Sequence, residues 1–281
     1  MDNKDRIKIV REPKWINYSA AVQIIKELND LKFYPKSSRM PNVLLVGDSN
    51  NGKTALIEKF ISLNPAMFSK ENNEMICPVI GVQAPPEPDE RRFYNSILEQ
   101  LLAPYKISEK LDARQIRVKN LLQRLEVKVL IIDEIHHVLA GAPTKQRKFL
   151  NVLKFLSNEL KISLVCAGTK DAFNAIQTDP QLSNRFVPRV LKRWKFDNEY
   201  KRLLLSFESK LPLKEESHLI EDGYAQKILA LSEGLIGEIS KIIELSTIWA
   251  LENNLEKITP DILNEIRYVP PSDRKKMIYK L

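Results

Sequence analysis

The sequence has few cysteines and glycines and no long apolar run. Its 281 residues include two cysteines and eight glycines. Cys77 and Cys166 lack the spacing of a zinc site, so we expect both to be reduced thiols buried within strands. No apolar run is long enough to cross a bilayer, and the charged residues 1–6 lack the apolar stretch of a secretory signal. These absences argue against a disulfide scaffold or a membrane-spanning protein, and they predict a cytoplasmic one.

The charge balance is moderately basic. The chain has 44 Lys and Arg residues against 36 Asp and Glu residues, a net charge of +8. An excess of this size permits contact with nucleic acid but does not require it, so the positions of the basic residues must decide.

One segment matches the phosphate-binding loop of nucleoside triphosphatases, G-x-x-x-x-G-K-[ST]. An apolar strand (residues 43–46) precedes it and a helix-forming segment (55–60) follows, which argues against a chance match in an ordinary turn. Glycines let such a loop turn its N–H groups towards a triphosphate, and the helix N-terminus adds positive partial charge. We expect Lys53 to reach the β- and γ-phosphates and the Thr54 hydroxyl to bind Mg²⁺. The loop consists of Gly47, Asp48, Ser49, Asn50, Asn51, Gly52, Lys53 and Thr54.

A second motif ends an apolar strand at residues 129–134. We expect Asp133 to hold Mg²⁺, directly or through a water, and Glu134 to orient or deprotonate the attacking water. The alternative is a strand that runs into a helix beginning with acidic residues. The presence of both motifs in one chain favours the nucleotide site.

The order of the elements predicts an α/β fold with a parallel sheet flanked by helices. The predicted strands are residues 43–46, 75–82, 129–133, 162–167 and 187–196. The predicted helices are residues 19–31, 90–102, 113–125 and 146–160, followed by 199–209, 224–232, 238–252 and 260–266. We therefore predict an N-terminal extension with one helix (1–40), an ATPase core (41–197), a small helical lid (198–268) and a basic flexible tail (269–281).

A parallel sheet with a phosphate loop, followed by a small helical lid, resembles the AAA+ ATPases. By this resemblance Thr169, after the fourth strand, would help to position the attacking water, although it would alternatively cap the next helix. Arg185 would stabilise the γ-phosphate of a neighbouring subunit as an arginine finger, with Arg189 and Arg193 as rivals. The alternative for Arg185 is a place in a solvated loop.

In the predicted lid, this sequence departs from the usual AAA+ pattern. Many AAA+ lids open a helix with G-x-x-R, whose arginine contacts the γ-phosphate. Here the segment that begins at Gly237 has Ser240 at the place of that arginine. Lys241 comes next and would have to substitute for the arginine. We therefore expect slow hydrolysis that acts as an assembly switch.

Several segments together resemble the TniB/TnsC family of transposition ATPases, relatives of MuB. These are residues 39–42 (RMPN), the phosphate loop, and residues 82–85 (VQAP), 133–137 (DEIHH) and 234–240 (GLIGEIS). The resemblance runs from residue 11 to 266, and Ser240 fits that family's pattern. It implies a bacterial cytosolic ATPase that uses ATP and Mg²⁺ and forms rings or helical filaments on duplex DNA, independently of sequence. It also implies recruitment and activation of a DDE transposase and contact with a TniQ-type adaptor.

Contact with the DNA backbone requires lysines and arginines on one surface. Arg114 and Arg117 share a helix face, but Glu90, Glu109 and Asp112 lie nearby, so a mixed solvated surface is the alternative. The candidates are Arg91, Arg92, Lys106, Lys110, Arg114 and Arg117. A second basic cluster, at residues 185–195, would serve a subunit interface, DNA or both. The tail, whose basic residues run from 274 to 280, would bind a partner such as the transposase.

Two further residue pairs leave alternatives open. His136 and His137 suggest a metal or a general base, but without further ligands at suitable spacing we expect His137 to pack beneath the loop and His136 to lie near the surface. Trp15 and Tyr18 would either wall an adenine pocket or pack in the core.

Two other functions fit the same motifs. One is a different AAA+ role, such as a helicase loader or replication initiator. The other is a nucleotide-binding signalling module that binds no DNA. The response of DNA binding to ATP separates this last function from a transposition regulator.

Overall fold

The computed structural model describes residues 1–71 and 73–278, which form two compact units. The helical unit contains Met1–Val22, Asn50–Gly52 and the chain from Lys192 onward. The sheet unit contains Gln23–Ser49 and Lys53–Leu191. Lys280 of the predicted basic tail lies outside the described residues. Within those residues, no helix combines the length and apolar character needed to span a membrane.

A five-stranded parallel sheet forms the centre of the sheet unit. The strands of the chain are β1 (Asn42–Gly47), β2 (Met67–Ser69), β3 (Glu74–Ile76), β4 (Val79–Gln83), β5 (Val129–Asp133), β6 (Ser163–Gly168) and β7 (Phe186–Leu191). The order in the large sheet is β4–β5–β6–β1–β7, and β2 pairs with β3 in a separate hairpin. Strands β1 and β6 are buried along their whole length, as expected for central strands of a parallel sheet.

The strand predicted at residues 75–82 is wrong as a single element, because the chain changes partners at Pro78. Before it, β3 pairs antiparallel with β2, and after it β4 joins the large sheet beside β5. Proline has no N–H to donate to a ladder, and the Pro78 carbonyl instead accepts from the N–H groups of Lys128 and Val129, at 2.9 and 3.1 Å. Cys77 therefore lies between two strands and is half-buried, whereas Cys166 is buried in β6 as predicted.

The helices confirm most of the predicted periodicity and add elements that the sequence pattern did not indicate. They are α1 (Asn3–Arg11), α2 (Ser19–Phe33), α3 (Lys53–Ser62), α4 (Glu90–Gln100), α5 (Leu111–Arg124), a 3-10 helix (Ile135–Ala140), α6 (Pro143–Leu160), α7 (Lys170–Gln177), α8 (Pro180–Ser183), α9 (Asn198–Glu208), α10 (Asp222–Ser232), α11 (Ile236–Glu252), α12 (Ile262–Glu265) and α13 (Pro271–Ile278). Helices α1, α8 and α13 and the 3-10 helix were not predicted, and α7 was implied only as the helix that Thr169 would cap. Helix α13 occupies a segment for which the sequence predicts a flexible end.

Each unit has its own apolar core. In the sheet unit, Phe93 of α4 packs edge-on against Phe149 of α6, with ring centroids 5.1 Å apart. In the helical unit, Tyr200 and Leu204 of α9 belong to the same buried cluster as Ile242 of α11. Burial of this apolar area is the main favourable contribution to folding of each unit.

Candidate nucleotide-binding site

The candidate site lies at the carboxyl ends of three neighbouring strands of the sheet unit. The phosphate loop follows β1, Asp133 ends β5, and Thr169 follows β6, which lies between the other two strands. The carboxyl ends of neighbouring parallel strands meet at the same edge, where ligands of such sheets bind. The topology thus brings together residues that the sequence separates widely.

Lys53 lies in the interior of the turn formed by the loop. It is 5% exposed, and its Nζ donates hydrogen bonds to the carbonyl oxygens of Gly47 and Asp48, both at 2.9 Å. Burial lowers the pKa of Lys53, and the nearby carboxylates, Glu134 foremost, oppose that shift. A partly desolvated ammonium that neutral carbonyls hold in place suits an incoming phosphate anion.

Thr54 and Asp133 come together although they are far apart in sequence. The Thr54 hydroxyl donates to Oδ2 of Asp133 at 2.8 Å. Hydroxyl and carboxylate oxygens are the ligands that Mg²⁺ prefers when it also binds phosphate. These residues fit the metal ion that the two motifs imply, and Lys53 fits the triphosphate.

Glu134 has a backbone conformation that few residues other than glycine adopt. Its φ is 56° and its ψ is 34°, and its N–H donates to Oδ1 of Asp133 at 2.8 Å. Its Oε2 lies 3.2 Å from Nε2 of His136. The Glu134 carboxylate therefore has a defined position beside His136.

The two histidines have a third potential ligand nearby, Glu134, which their spacing in the sequence did not indicate. Ligand atoms of Glu134, His136 and His137 lie within 4.8 Å of one another, and the two rings are 4.8 Å apart. Both histidines are half-buried, and in the described part of the chain their Nδ1 atoms have no hydrogen-bond partner. Because Glu134 belongs to the candidate site, the histidines are part of it as well.

Thr169 takes the N-cap position of α7 without acting as a cap. Its side chain makes no capping hydrogen bond, and its Oγ1 is buried without a partner among the residues described. A buried hydroxyl that lacks a partner is rare in folded proteins, where such groups are generally satisfied. The arrangement disfavours the capping alternative and leaves the hydroxyl available to a ligand.

The centre of the phosphate loop is held by the helical unit, to which Asn50–Gly52 belong. The Asn50 side chain donates to Glu238 at 3.0 Å, and the Asn50 carbonyl accepts from the N–H of Gly237 at 3.0 Å. Gly52 has a φ of 82°, which favours glycine. Sequence analysis missed Glu238, although an acid in the first turn of an apolar helix was a signal that could have been noticed.

Tyr18 packs beside the loop centre within the helical unit. Its ring meets Trp194 edge-on at 5.3 Å, and burial raises the pKa of Tyr18 to about 12. A Cβ atom on Gly52 would lie 3.9 Å from the Tyr18 hydroxyl. Trp15 is half-buried and donates to Asn17 at 2.7 Å. Tyr18 therefore combines core packing with proximity to the loop, and an adenine contact stays a prediction.

The three candidate finger arginines have different partners. Arg189 is paired with Glu27 at 2.5 Å, and Arg193 with Glu233 at 3.5 Å. Arg185 donates to the neutral amide oxygen of Asn158 at 2.5 Å. Among the residues that the structure describes, Arg185 has no carboxylate partner. Such a guanidinium is easier to transfer to a phosphate, which favours Arg185 over its rivals.

Neither Ser240, which stands at the arginine position of G-x-x-R, nor Lys241 supplies a free cation. Ser240 is exposed, and Lys241 is paired with Glu244 at 2.9 Å. Substitution by Lys241 would first require this surface pair to break.

Arg114 contradicts its assignment to a DNA-binding surface. It is 1% exposed, and its guanidinium donates to Asn95 at 2.5 Å and to the Lys106 carbonyl at 2.6 Å. It also lies over the Tyr105 ring, 4.8 Å from the centroid. The residue fixes the segment before α5 and cannot reach a phosphate, because the helix face it shares with Arg117 turns partly inward.

The other five DNA candidates are exposed, but they have acidic neighbours. Arg117 is paired with Glu109 at 2.9 Å. A surface pocket of about 230 Å³ adds two lysines of α6 that the sequence analysis missed, although the basic start of that helix was a signal. Its charged lining residues are Arg91, Arg92, Lys145 and Lys148 together with Glu87, Asp89 and Glu90.

Comparison with known proteins gives a family match and several similar folds. Residues 6–196 match the family model described as "Bacterial TniB protein". No curated protein matches the chain. The Aeropyrum pernix ORC2 protein in ADPNP–ADP complexes has a TM-score of 0.65 at 14% identity, over 92% of this chain and 70% of that one. The Aeropyrum pernix ORC1 protein in complex with DNA has a TM-score of 0.64 at 15% identity, over 92% and 68%. The Thermotoga maritima RuvB Holliday junction branch migration motor has a TM-score of 0.53 at 16% identity, over 92% and 72%.

Structural similarity at these identities establishes the fold, which is that of the AAA+ P-loop ATPases, with helices following the sheet. The family match is more specific, because it spans more than half of the chain and contains the phosphate loop, Asp133, Glu134, Thr169 and Arg185. On this evidence the chain belongs to the TniB family.

Proposed function

We propose that the protein is an ATP-dependent regulator of DNA transposition that assembles on duplex target DNA. In this role it would recruit and activate a DDE transposase and contact a TniQ-type adaptor that selects the target. The observation that carries the proposal is the meeting of Thr54 and Asp133 at 2.8 Å in a chain of the TniB family. A family match alone would also fit a chain whose nucleotide site had decayed, whereas this pair is intact.

The chain's own residues divide the work at the nucleotide. The loop N–H groups and Lys53 would bind the β- and γ-phosphates, and Thr54 and Asp133 would hold Mg²⁺. When bound, Mg-ATP supplies the phosphoanhydride bond whose hydrolysis would end the assembled state. Glu134 would orient the water. Thr169, whose hydroxyl has no partner among the residues described, would donate a hydrogen bond near that water, and Arg185 would complete a neighbouring copy's site.

Slow hydrolysis is the second part of the proposal. The G-x-x-R arginine is replaced by Ser240, and Lys241 is engaged with Glu244. A site with one fewer cation stabilises developing charge less well, so the nucleotide would persist long enough to maintain an assembly.

DNA contact would involve the exposed basic residues of α4, the segment before α5, and α6. Arg91 and Arg92 share one pocket lining with Lys145 and Lys148, and Lys106 and Lys110 are exposed nearby in sequence. Such residues bind phosphates without reading bases, as a sequence-independent regulator requires. Arg114 is not part of this surface.

A second candidate function follows from the likeness to initiator proteins. Two similar structures are of ORC proteins bound to DNA, from Aeropyrum pernix and Drosophila. A helicase loader or initiator would also respond to ATP and DNA, but it would not stimulate a transposase. A strand-transfer assay with the transposase from the same element separates the two functions.

The primary test is sedimentation of the protein with linear duplex DNA of random sequence, with Mg-ATP, with a slowly hydrolysed ATP analogue, and without nucleotide. We expect nucleotide to increase the DNA-bound fraction, and we expect Lys53→Ala to lose this increase because the phosphates lose their cation. Lys59→Ala, later in α3, is the matched control and should behave as the wild type. DNA binding that is indifferent to nucleotide in the wild type would overturn the proposal.

A further inference from the structure

Glu238 is a buried carboxylate that accepts four hydrogen bonds. It lies in the first turn of α11 and is 5% exposed. Its Oε1 accepts from Asn50 at 3.0 Å and from Arg274 Nη1 at 2.9 Å. Its Oε2 accepts from the Tyr268 hydroxyl and from Arg274 Nη2, both at 2.6 Å. A buried carboxylate is costly unless it is paired and fully hydrogen-bonded, and this one is both.

The cation that makes this burial possible comes from the C-terminal helix α13. The Arg274 guanidinium binds both oxygens of Glu238 in a fork, and its Nε donates to the Val269 carbonyl at 2.8 Å. It also lies 5.5 Å from the centroid of the Tyr268 ring. The hydrogen bond from Arg274 is the main cause that holds the pKa of Glu238 below its usual value. The two-pronged geometry is the strongest form of this ion pair.

Asn50, at the other end of this chain of contacts, has a left-handed backbone conformation. Its φ is 59°, in a region that asparagine enters more readily than most residues other than glycine. Its side chain donates to Glu238, and its carbonyl accepts from the N–H of Gly237. A Cβ atom on Gly237 would lie only 2.0 Å from the Asn50 Oδ1. The next residue, Asn51, donates to the Lys192 carbonyl at 3.3 Å. The conformation of the loop centre is thus maintained by its contacts with the helical unit.

From these contacts we infer that Arg274 is a positioning residue for nucleotide binding. It neutralises Glu238, which in turn holds Asn50 in the left-handed conformation and so keeps the middle of the phosphate loop in place. Arg274 does not itself touch the nucleotide. The inference rests on the proposed function in one respect, that the loop binds ATP. The C-terminal helix then supports the centre of the phosphate loop within the helical unit, although its sequence reads as a basic tail.

The test is a titration of a fluorescent ATP analogue with Mg²⁺ into the full chain, without DNA. Arg274→Ala is expected to raise the dissociation constant about tenfold, the effect of losing a charge-assisted hydrogen bond. Arg274→Lys keeps the charge but loses the two-pronged hydrogen bonding. Its dissociation constant should therefore lie between those of the wild type and Arg274→Ala. Lys276→Ala, on the same helix and paired at the surface with Asp273, is the matched control and should not change the affinity.

A double-mutant cycle separates positioning from general destabilisation. If Arg274 acts through Asn50, then Arg274→Ala combined with Asn50→Ala should bind no more weakly than the weaker single variant. Additive losses, or an Arg274→Ala variant that binds like the wild type, would overturn the inference. Thermal unfolding of each variant shows that it is folded at the titration temperature. A wild type that fails to bind the analogue would refute the proposed function instead, so the two failures are distinguishable.

Discussion

At the scale of single residues, the candidate site contains residues with unusual burial, backbone conformation or hydrogen bonding. Lys53 is buried, Glu134 has left-handed backbone angles, and the Thr169 hydroxyl lacks a partner among the residues described. Each of these states costs free energy in a protein that is only marginally stable. They occur together at the carboxyl edge of one sheet, and such costs are tolerated where binding or chemistry depends on them.

Glu134→Gln should separate nucleotide binding from hydrolysis. The amide keeps the size and hydrogen bonding of the side chain but cannot accept a proton from water, so turnover should fall by about 10²–10⁴-fold while nucleotide affinity changes little. Steady-state phosphate release and nucleotide titration measure the two quantities. Glu126→Gln is the matched control, since Glu126 also has a positive φ of 51° and is paired with Lys128 at the surface. Unchanged turnover in Glu134→Gln would rule out the assigned role.

The site residues that belong to the two sequence motifs share one property, which is contiguity. The loop from Gly47 to Thr54 and the pair Asp133 and Glu134 are recognisable because their residues are neighbours in the chain and match known motifs. Arg114 was assigned wrongly because the acceptors that bury it, Asn95 and the Lys106 carbonyl, are brought to it by the packing of α4 and α5. Basic spacing on a helix does not tell which side faces the interior.

At the scale of elements, strong periodicity was predictable and tertiary stabilisation was not. The strands β1, β5 and β6 were predicted from their apolar runs, and α4 and α6 from their helical spacing. Helix α1 was missed because its sequence is mostly polar and its partners are distant. Its Arg6 donates to Glu256, 250 residues away, and to the Pro212 carbonyl. No local pattern predicts such a partner.

The ion pair of α1 gives a prediction about pH. Hydrogen bonds, first from Arg6 and then from Lys214, lower the pKa of Glu256 from 4.5 to about 2. A depressed carboxyl pKa contributes stability that is present above the unfolded value of 4.5 and is lost as the pH falls towards 2. Glu256→Gln should therefore lower the urea midpoint at pH ~7, and its difference from the wild type should shrink below pH ~4.5.

Urea unfolding at a series of pH values checks this, with Glu252→Gln, exposed near the end of α11, as the matched control. A difference between Glu256→Gln and the wild type that stays constant from neutral to acidic pH would contradict the role of the pair.

At the scale of the whole chain, the positions of the charged residues tell more about DNA binding than the net charge of +8 does. Several basic residues that look available in the sequence are engaged within the fold, such as Arg6, Arg114 and Arg189. What remains for a polyanion is a smaller exposed set, in which acids are interspersed. DNA binding of such a surface should be weak for one copy and strengthened by repetition along an assembly.

Removal of two exposed arginines should change the salt dependence of DNA binding. If Arg91 and Arg92 each contact a phosphate, the double alanine variant should reduce the slope of log K against log salt concentration by about two, equally for DNA of any sequence. Fluorescence anisotropy at several salt concentrations with ATP measures the slope. Arg124→Ala, an exposed arginine at the end of α5, should leave the slope unchanged. An unaltered slope in the double variant would exclude these residues from the DNA surface.

The attachment of the loop centre to the helical unit limits how this protein can be dissected. A fragment that ends after β7 would retain every residue of both sequence motifs, yet it would lose Lys192, Gly237 and Glu238, which hold Asn50 and Asn51. Truncation to a minimal ATP-binding module would therefore remove part of the binding apparatus along with the C-terminal helices. For the same reason, chimaeras made by exchanging C-terminal segments between relatives should inherit nucleotide affinity from the donor of the helices as well as from the donor of the sheet.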